Sequence, residues 1–472
     1  MRRFFLISSL LLCGFVGVSL AKQITLRGFV TAVHSPTSFE MDEYKIIDKT
    51  EEEHQRLGSV GKKDWHSPQL KAGTLRVGLE VEVKGDYDRK TGEVKATGIK
   101  ALSDDSDPAT PIEGMGLVED KASLRKTAQG WLGRFTADGE TLVVTPDTLI
   151  SVKRSRAERK ELQAAGGESD DDSRFSADDI DLDTFAYYVG VRQADHSILA
   201  KKIEFRLDRA AAESDWSLLA ANLFYPDPKS EAGTLTVDEK QYDLFPSHEA
   251  EEYLSKLGAS LIPAHQRDLP DKNPGKVLFR FFLIDTDTVA VDAYPNGVVA
   301  VSAHVFDVFD NEAQLAFVLA HEMAGVVEKH QWTFAQYHRA ERIEIAAVGA
   351  AASLAVPGAQ MLGWLADKGI VDNFARSLLN QADRVGIEYM LAAGYDPKQS
   401  VESWRVLERK RAHGRFWGNQ DVNFEHRTYL ESELQLKYAN RDFSDLKRDS
   451  SDFRAAVDGV RAARQRAKTK KK

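Results

Sequence analysis

The pair His321-Glu322 has the most specific chemistry open to it of any in this sequence. On an α-helix, residues four apart stand above one another, so His-Glu-x-x-His can offer two imidazoles to one zinc ion. The glutamate beside the first histidine then reaches the metal-bound water as a general base. Here the run reads His321-Glu322-Met323-Ala324-Gly325, and the fifth residue has no side chain to donate. Glycine also costs about 1 kcal/mol relative to alanine inside a helix, so helix propensity gives no reason for it. Neighbouring donors do not close the gap if the helix simply continues. His330 would fall on roughly the opposite face, and Glu328 would lie about 10 Å further along the axis. Neither would then share an ion with His321 across bonds of about 2 Å. Asp383 leaning in would raise the count to two protein ligands, where catalytic zinc usually has about three.

The elements that must position this pair are legible on either side. Val289 to Ser302 is apolar and β-prone, broken by Pro295-Asn296-Gly297 into a hairpin or bent strand. Asp310 is the expected N-cap of the next helix, with Glu312 favourably placed in its first turn. Leu315, Val318, Leu319 and Val326 recur at helical spacing and predict one core-facing side. A second helix is expected over Gln381-Ala382-Asp383-Arg384-Val385-Gly386-Ile387-Glu388-Tyr389-Met390, where Ile387, Tyr389 and Met390 read as core. His304, His338, His413 and His426 stand alone and read as surface or ordinary polar positions.

Three stretches together carry a resemblance: Pro295 to Val299, Asn311 to Trp332, and Gln381 to Met390 with Ala393-Gly394-Tyr395-Asp396-Pro397. From about residue 232 to 440 the chain resembles the HtpX, BepA and Oma type of zinc metallopeptidases, metallopeptidase family 48. The resemblance implies a zinc cofactor, His321 as the first zinc ligand and Glu322 as the catalytic base. The second zinc histidine falls on Gly325 and the third ligand, a glutamate, on Leu379. Asp383 keeps the aspartate that supports a histidine ligand, and a histidine at the far end of the cleft falls on Gln420. Zinc is thus expected from the family and doubtful in this chain. Leu379, on an otherwise polar turn, would fill the volume of the lost ligand.

Upstream, residues 23 to 207 alternate apolar and polar side chains in short blocks, the period of half-buried strands. Leu79 to Gly85 and Phe185 to Gly190 are two such blocks, and their order suggests a repeated unit. The expected fold is multidomain: two small antiparallel β-barrel or sandwich modules, then an α+β, mostly helical, metallopeptidase-like domain. The boundaries read as a signal peptide at 1–21, modules at 22–105 and 115–208, a linker at 209–231, the domain at 232–445 and a charged tail at 446–472. The acidic run Glu168 to Asp172 reads as a solvated loop and lacks the spaced ligands of a calcium loop.

Arg2-Arg3, the apolar stretch Phe4 to Val18 and Ser19-Leu20-Ala21 have the form of a cleaved export signal. The sole cysteine, Cys13, lies inside it, which fits a periplasmic or envelope protein without disulfides. The formal net charge of −10 argues against nucleic acid as a partner. The basic run Arg461 to Lys472 reads first as a solvated frayed end and second as a weak contact with anionic lipid. Ile345 to Ala366 is uncharged over 22 residues, but Pro357-Gly358 interrupts it. Two packed small-residue helices are favoured there over a membrane contact. Unfolded or envelope proteins and peptides are the expected partners. Three functions compete: a pseudopeptidase that binds without cutting, an active zinc metalloendopeptidase, and a scaffold whose β-modules do the binding.

Overall fold

The computed structural model describes residues 22–49, 75–103, 110–154, 156–164, 175–182, 184–207, 233–237, 240–273, 275–330, 333, 373–409 and 420–470. The export signal 1–21, the linker 209–231, the acidic run 168–172, the run 345–366, His338 and His413 lie outside the described residues.

The amino-terminal half is β-rich, as its alternation requires. The first sheet holds β1 (Lys22–Phe29), β2 (Ala32–Ser35), β3 (Ser38–Met41), β4 (Tyr44–Asp48), β5 (Glu80–Asp88) and β6 (Glu93–Ser103), in the order β1-β5-β6-β4-β3-β2. Along β5, Val81 and Val83 point into the core while Glu82 and Lys84 point outward, the period of two that a strand imposes.

The second sheet holds β7 (Ile112–Asp120), β8 (Arg125–Thr127), β9 (Gly130–Ala137), β10 (Glu140–Val144), β11 (Leu149–Lys153), β12 (Phe185–Arg192) and β13 (Ile198–Arg206). Five of these close on themselves, because β10 pairs both with β13, in parallel, and with β9. Trp131, Phe135, Tyr188, Ile203 and Phe205 fill this barrel. The first sheet follows the same pairing order, except that the strand corresponding to β7 is split. Its first part, β1, pairs with β5, and its second, β2, pairs with β3. Between them Val30 and Thr31 donate their N–H groups to Leu79 and Glu40.

The carboxy-terminal half is mostly helical around a five-stranded sheet. Its strands are β14 (Thr234–Val237), β15 (Lys240–Leu244), β16 (Arg280–Asp285), β17 (Val291–Ala293) and β18 (Val298–Ser302), in the order β14-β15-β16-β18-β17. β17 and β18 form the expected hairpin across Pro295-Asn296-Gly297. Gly297 is left-handed there, and a Cβ would meet the Leu278 carbonyl oxygen at 2.4 Å. Among the described residues its six long helices are α1 (His248–Leu261), α2 (Glu312–Val327), α3 (Asn373–Ala392), α4 (Gln399–Arg409), α5 (Gln420–Lys437) and α6 (Ser451–Lys470).

Two local expectations change. The N-cap of α2 is Asn311, whose side chain accepts from the Gln314 N–H at 3.1 Å, rather than Asp310. And α2 is buried all round instead of along one face, because α1, α3, α4 and β17 surround it. The segment read as a charged tail is ordered too: Phe453, Ala456, Val457, Val460 and Ala463 of α6 join the main core.

Candidate functional site

The site forms where α2, α3, α4 and α5 converge. Two helix backbones approach closely at Gly386 of α3, where a Cβ would come within 3.1 Å of the His321 nitrogen. That approach sets Asp383, one turn earlier on α3, against His321 of α2. The His321 Nδ1–H donates to Asp383 Oδ1 at 2.9 Å. The other carboxylate oxygen accepts from Nδ1 of His426 on α5. Asp383 is wholly buried, and burial alone pushes its carboxyl up; His426 and His321 together bring it below the usual range. Both histidines therefore carry a proton on Nδ1.

Trp404 of α4 completes the group. It stacks on the His426 ring at 4.6 Å between centroids and meets His321 edge-on at 5.4 Å. His426 corrects the sequence reading, which placed it among isolated polar residues. Its helix has three partners, so no single apolar stripe marks which residues turn inward.

Glu322 is buried beside the edge strand β17. Burial pushes its carboxyl well above the ordinary range, Asp292 pushes it further, and a hydrogen bond from the Ala293 backbone opposes them. Asp292 in turn accepts from the Tyr242 hydroxyl at 2.7 Å.

The second half of the site differs in kind. Gly325 is the least buried residue of α2, and Leu379 on α3 is buried and apolar. The helix ends at Val327, and Lys329 turns left-handed with φ 57°. His330 consequently folds back instead of continuing to the far face as the helical extrapolation required. Its Nδ1 lies 3.4 Å from where a Gly325 Cβ would stand, and its Nε2–H donates to Gln381 at 2.9 Å. Gln381 donates onward to the Met115 carbonyl of β7 at 2.8 Å, and Glu328 accepts from the Leu117 N–H at 3.0 Å. The second β sheet thus docks directly behind these positions. Gln420 is the first residue of α5.

Arg384, next to Asp383, reaches the same sheet. It binds the Asp138 carboxylate at 2.6 Å and its carbonyl at 2.8 Å, and donates to the Tyr429 hydroxyl of α5 at 2.8 Å. The first sheet docks on α5: Phe29 donates to the Thr428 hydroxyl at 3.0 Å, and Phe424 enters that sheet's core. Sequence reasoning missed these docking residues, since a helix that packs on two sheets reads only as weakly patterned.

The sequence profile described as peptidase family M48 matches residues 250–441. The beta-barrel assembly-enhancing protease of Escherichia coli strain K12 is 32% identical over 155 residues, 31% of this chain and 30% of that relative. Its counterpart in Yersinia pestis is 30% identical over 156 residues. The mitochondrial metalloendopeptidase OMA1 of Schizosaccharomyces pombe is 26% identical over 168 residues, 33% of this chain and 49% of that relative. The chain spans less than a third of the length of the first of these relatives.

The zinc implied by this family meets a poor donor set here. His321 offers one ring nitrogen, Gly325 none and Leu379 only methyl groups. Among the described residues, no group of three or more His, Cys, Asp or Glu is arranged to hold a metal ion. The donor set among the described residues does not fit a catalytic zinc, which needs about three protein ligands.

Proposed function

Proceeding from a peptidase family M48 domain over residues 250–441, we propose that this chain binds extended or unfolded polypeptide in the cell envelope without hydrolysing it. The observation that carries the reading is that Gly325 and Leu379 bring no donor atom, while His321 keeps its contact with Asp383 at 2.9 Å. A hydrolase needs the ion to activate water and polarise the scissile carbonyl. With one imidazole in place of three ligands, neither step has its reagent. The binding half of such chemistry needs less. β17 ends the order of its sheet, and an extended peptide adds a strand to an edge of that kind through backbone hydrogen bonds. Glu322, hydrogen-bonded to Ala293 of that strand, then serves to hold the edge in place instead of acting as a base. The envelope placement is supported by the export-type segment in the sequence and by the naming of relatives for β-barrel assembly.

The test compares the native protein with Gly325→His/Leu379→Glu, measuring zinc after dialysis, cleavage of an unfolded substrate such as casein, and binding of the same substrate by fluorescence anisotropy. The native protein is expected to be metal-free and to bind casein without cutting it, and the double variant to retain about one zinc, as the restored three-ligand set permits. Stoichiometric zinc in the native protein, with cleavage abolished by Glu322→Gln, would overturn the reading in favour of an active metalloendopeptidase.

A further inference from the structure

The last helix outruns the domain it packs on. In α6 the buried positions are Phe453, Ala456, Val457, Val460 and Ala463, and beyond them Gln465, Arg466, Ala467, Lys468 and Thr469 are all exposed. Helical geometry nevertheless continues to Lys470, so this stretch is a rod instead of the frayed end that the sequence suggested. From Ala463 to Lys470 it extends about 10 Å at about 1.5 Å per residue.

Charge is segregated onto the same stretch. Residues 461–472 hold seven Lys or Arg and no Asp or Glu, so the total of −10 is made of +7 here and −17 elsewhere. Arg461 and Arg464 have acidic neighbours, Asp458 at 3.5 Å and Asp307 respectively, and anchor the base of the rod. A projection of about 10 Å exceeds the screening length of about 8 Å at physiological ionic strength. The outer cations are therefore largely free of the field of the acidic body.

We propose that residues 461–472 are an electrostatic docking site for an anionic phospholipid surface. The chemistry favours lipid over nucleic acid. No aromatic residue stands among these twelve to stack on a base, and their apolar members are alanines, too small to insert deeply. Lipid headgroups require only an accessible cluster of cations, at about a fivefold gain in partition for each basic residue near the surface.

The test uses the full chain, sedimented with phosphatidylglycerol-containing vesicles and with pure phosphatidylcholine vesicles at low and high salt. It is compared with the variant Arg466→Gln/Lys468→Gln/Lys470→Gln/Lys471→Gln/Lys472→Gln, whose changes all lie past the packed part of the helix. Native protein should partition onto the anionic vesicles alone and release as salt rises. The variant should lose about a hundredfold or more of that partition with an unchanged melting temperature. Equal binding to both vesicle types, an unaltered variant, or a shift of duplex DNA with no partition onto vesicles would each overturn the proposal.

Discussion

The two halves of the site between α2 and α3 differ in kind, and the contrast is physical. On one side stands Asp383, wholly buried and satisfied by His321 and His426 from two other helices. On the other side Gly325 and Leu379 present no polar atom of their own side chains. Removing one member of a buried polar pair strands its partner at about 1–3 kcal/mol, more if it is charged, whereas replacing both members by apolar groups can be nearly neutral. Glycine and leucine at these two positions leave no polar partner stranded. Asp383 has no such exit, because it must keep a partner or be lost itself. The site thus retains polar residues where hydrogen bonds make them structural.

The largest expected effect breaks the first half. Asp383→Ala leaves two buried imidazoles without their acceptor and should lower the unfolding free energy by about 3–5 kcal/mol, the cost of breaking a buried pair. A chemical denaturation midpoint measures it. A loss below about 1 kcal/mol, the size of an ordinary exposed pair, would show that the contacts of Asp383 with the two histidines carry no structural weight.

One residue along, Arg384 tests whether α3 holds the second β sheet as firmly as it holds the site. Its guanidinium and the Asp138 carboxylate are both largely buried, so Arg384→Ala should cost about 3 kcal/mol. The loss should appear first as separation of a sheet transition from a helical one in a thermal scan. A single unaltered transition would assign the docking to the apolar contacts of Leu117 and Phe185 instead.

How much of this was legible in the sequence follows from the same contrast. The roles given to His321, Glu322, Asp383, Gly325 and Leu379 come from the family resemblance, and of these the structure brings His321 and Asp383 into contact at 2.9 Å. The hairpin at Pro295-Asn296-Gly297 and the β alternation upstream were local. His330 was misplaced because the left-handed residue that ends α2 is a lysine, Lys329, which gives no glycine-like stop signal. His426 and Arg384 were missed because their partners come from elements 43 and 246 residues away in sequence. Periodicity within one helix says nothing of pairings at that separation.

A fourth buried histidine sharpens the point about partners. His265 packs near Tyr389 of α3, and among the described residues its Nε2 has no hydrogen-bond partner. Burial pushes its pKa down to about 4. Because the folded value lies below the unfolded one of about 6.5, the unfolded chain takes up the proton first as pH falls. Stability is then full above about pH 6.5 and declines towards pH 4, by on the order of 2–3 kcal/mol. His265→Phe should flatten that part of the stability profile, and a variant with the native acid slope would assign the slope to other groups.

The smallest effect runs the opposite way and comes from the sheet that docks behind Gly325. Glu119 of β7 accepts from the Gly139 N–H at 2.8 Å, yet burial pushes its pKa up to about 8, aided by the nearby Glu388 and against the pull of that hydrogen bond. Its folded value lies above the unfolded one, so the folded protein keeps a proton that the unfolded chain releases. Stability from this group is fully present below about pH 4.5 and is lost as pH rises towards 8. Glu119 is only partly shielded from solvent, so the loss should be on the order of 1 kcal/mol. Glu119→Gln keeps an acceptor for Gly139 and has no proton to lose, so it should remove the alkaline decline while leaving the acid limb set by His265 untouched. If both limbs moved together, the sheet and the helical domain would be titrating as one coupled unit, and the separation between a polar half held by partners and an apolar half held by packing would have to be given up.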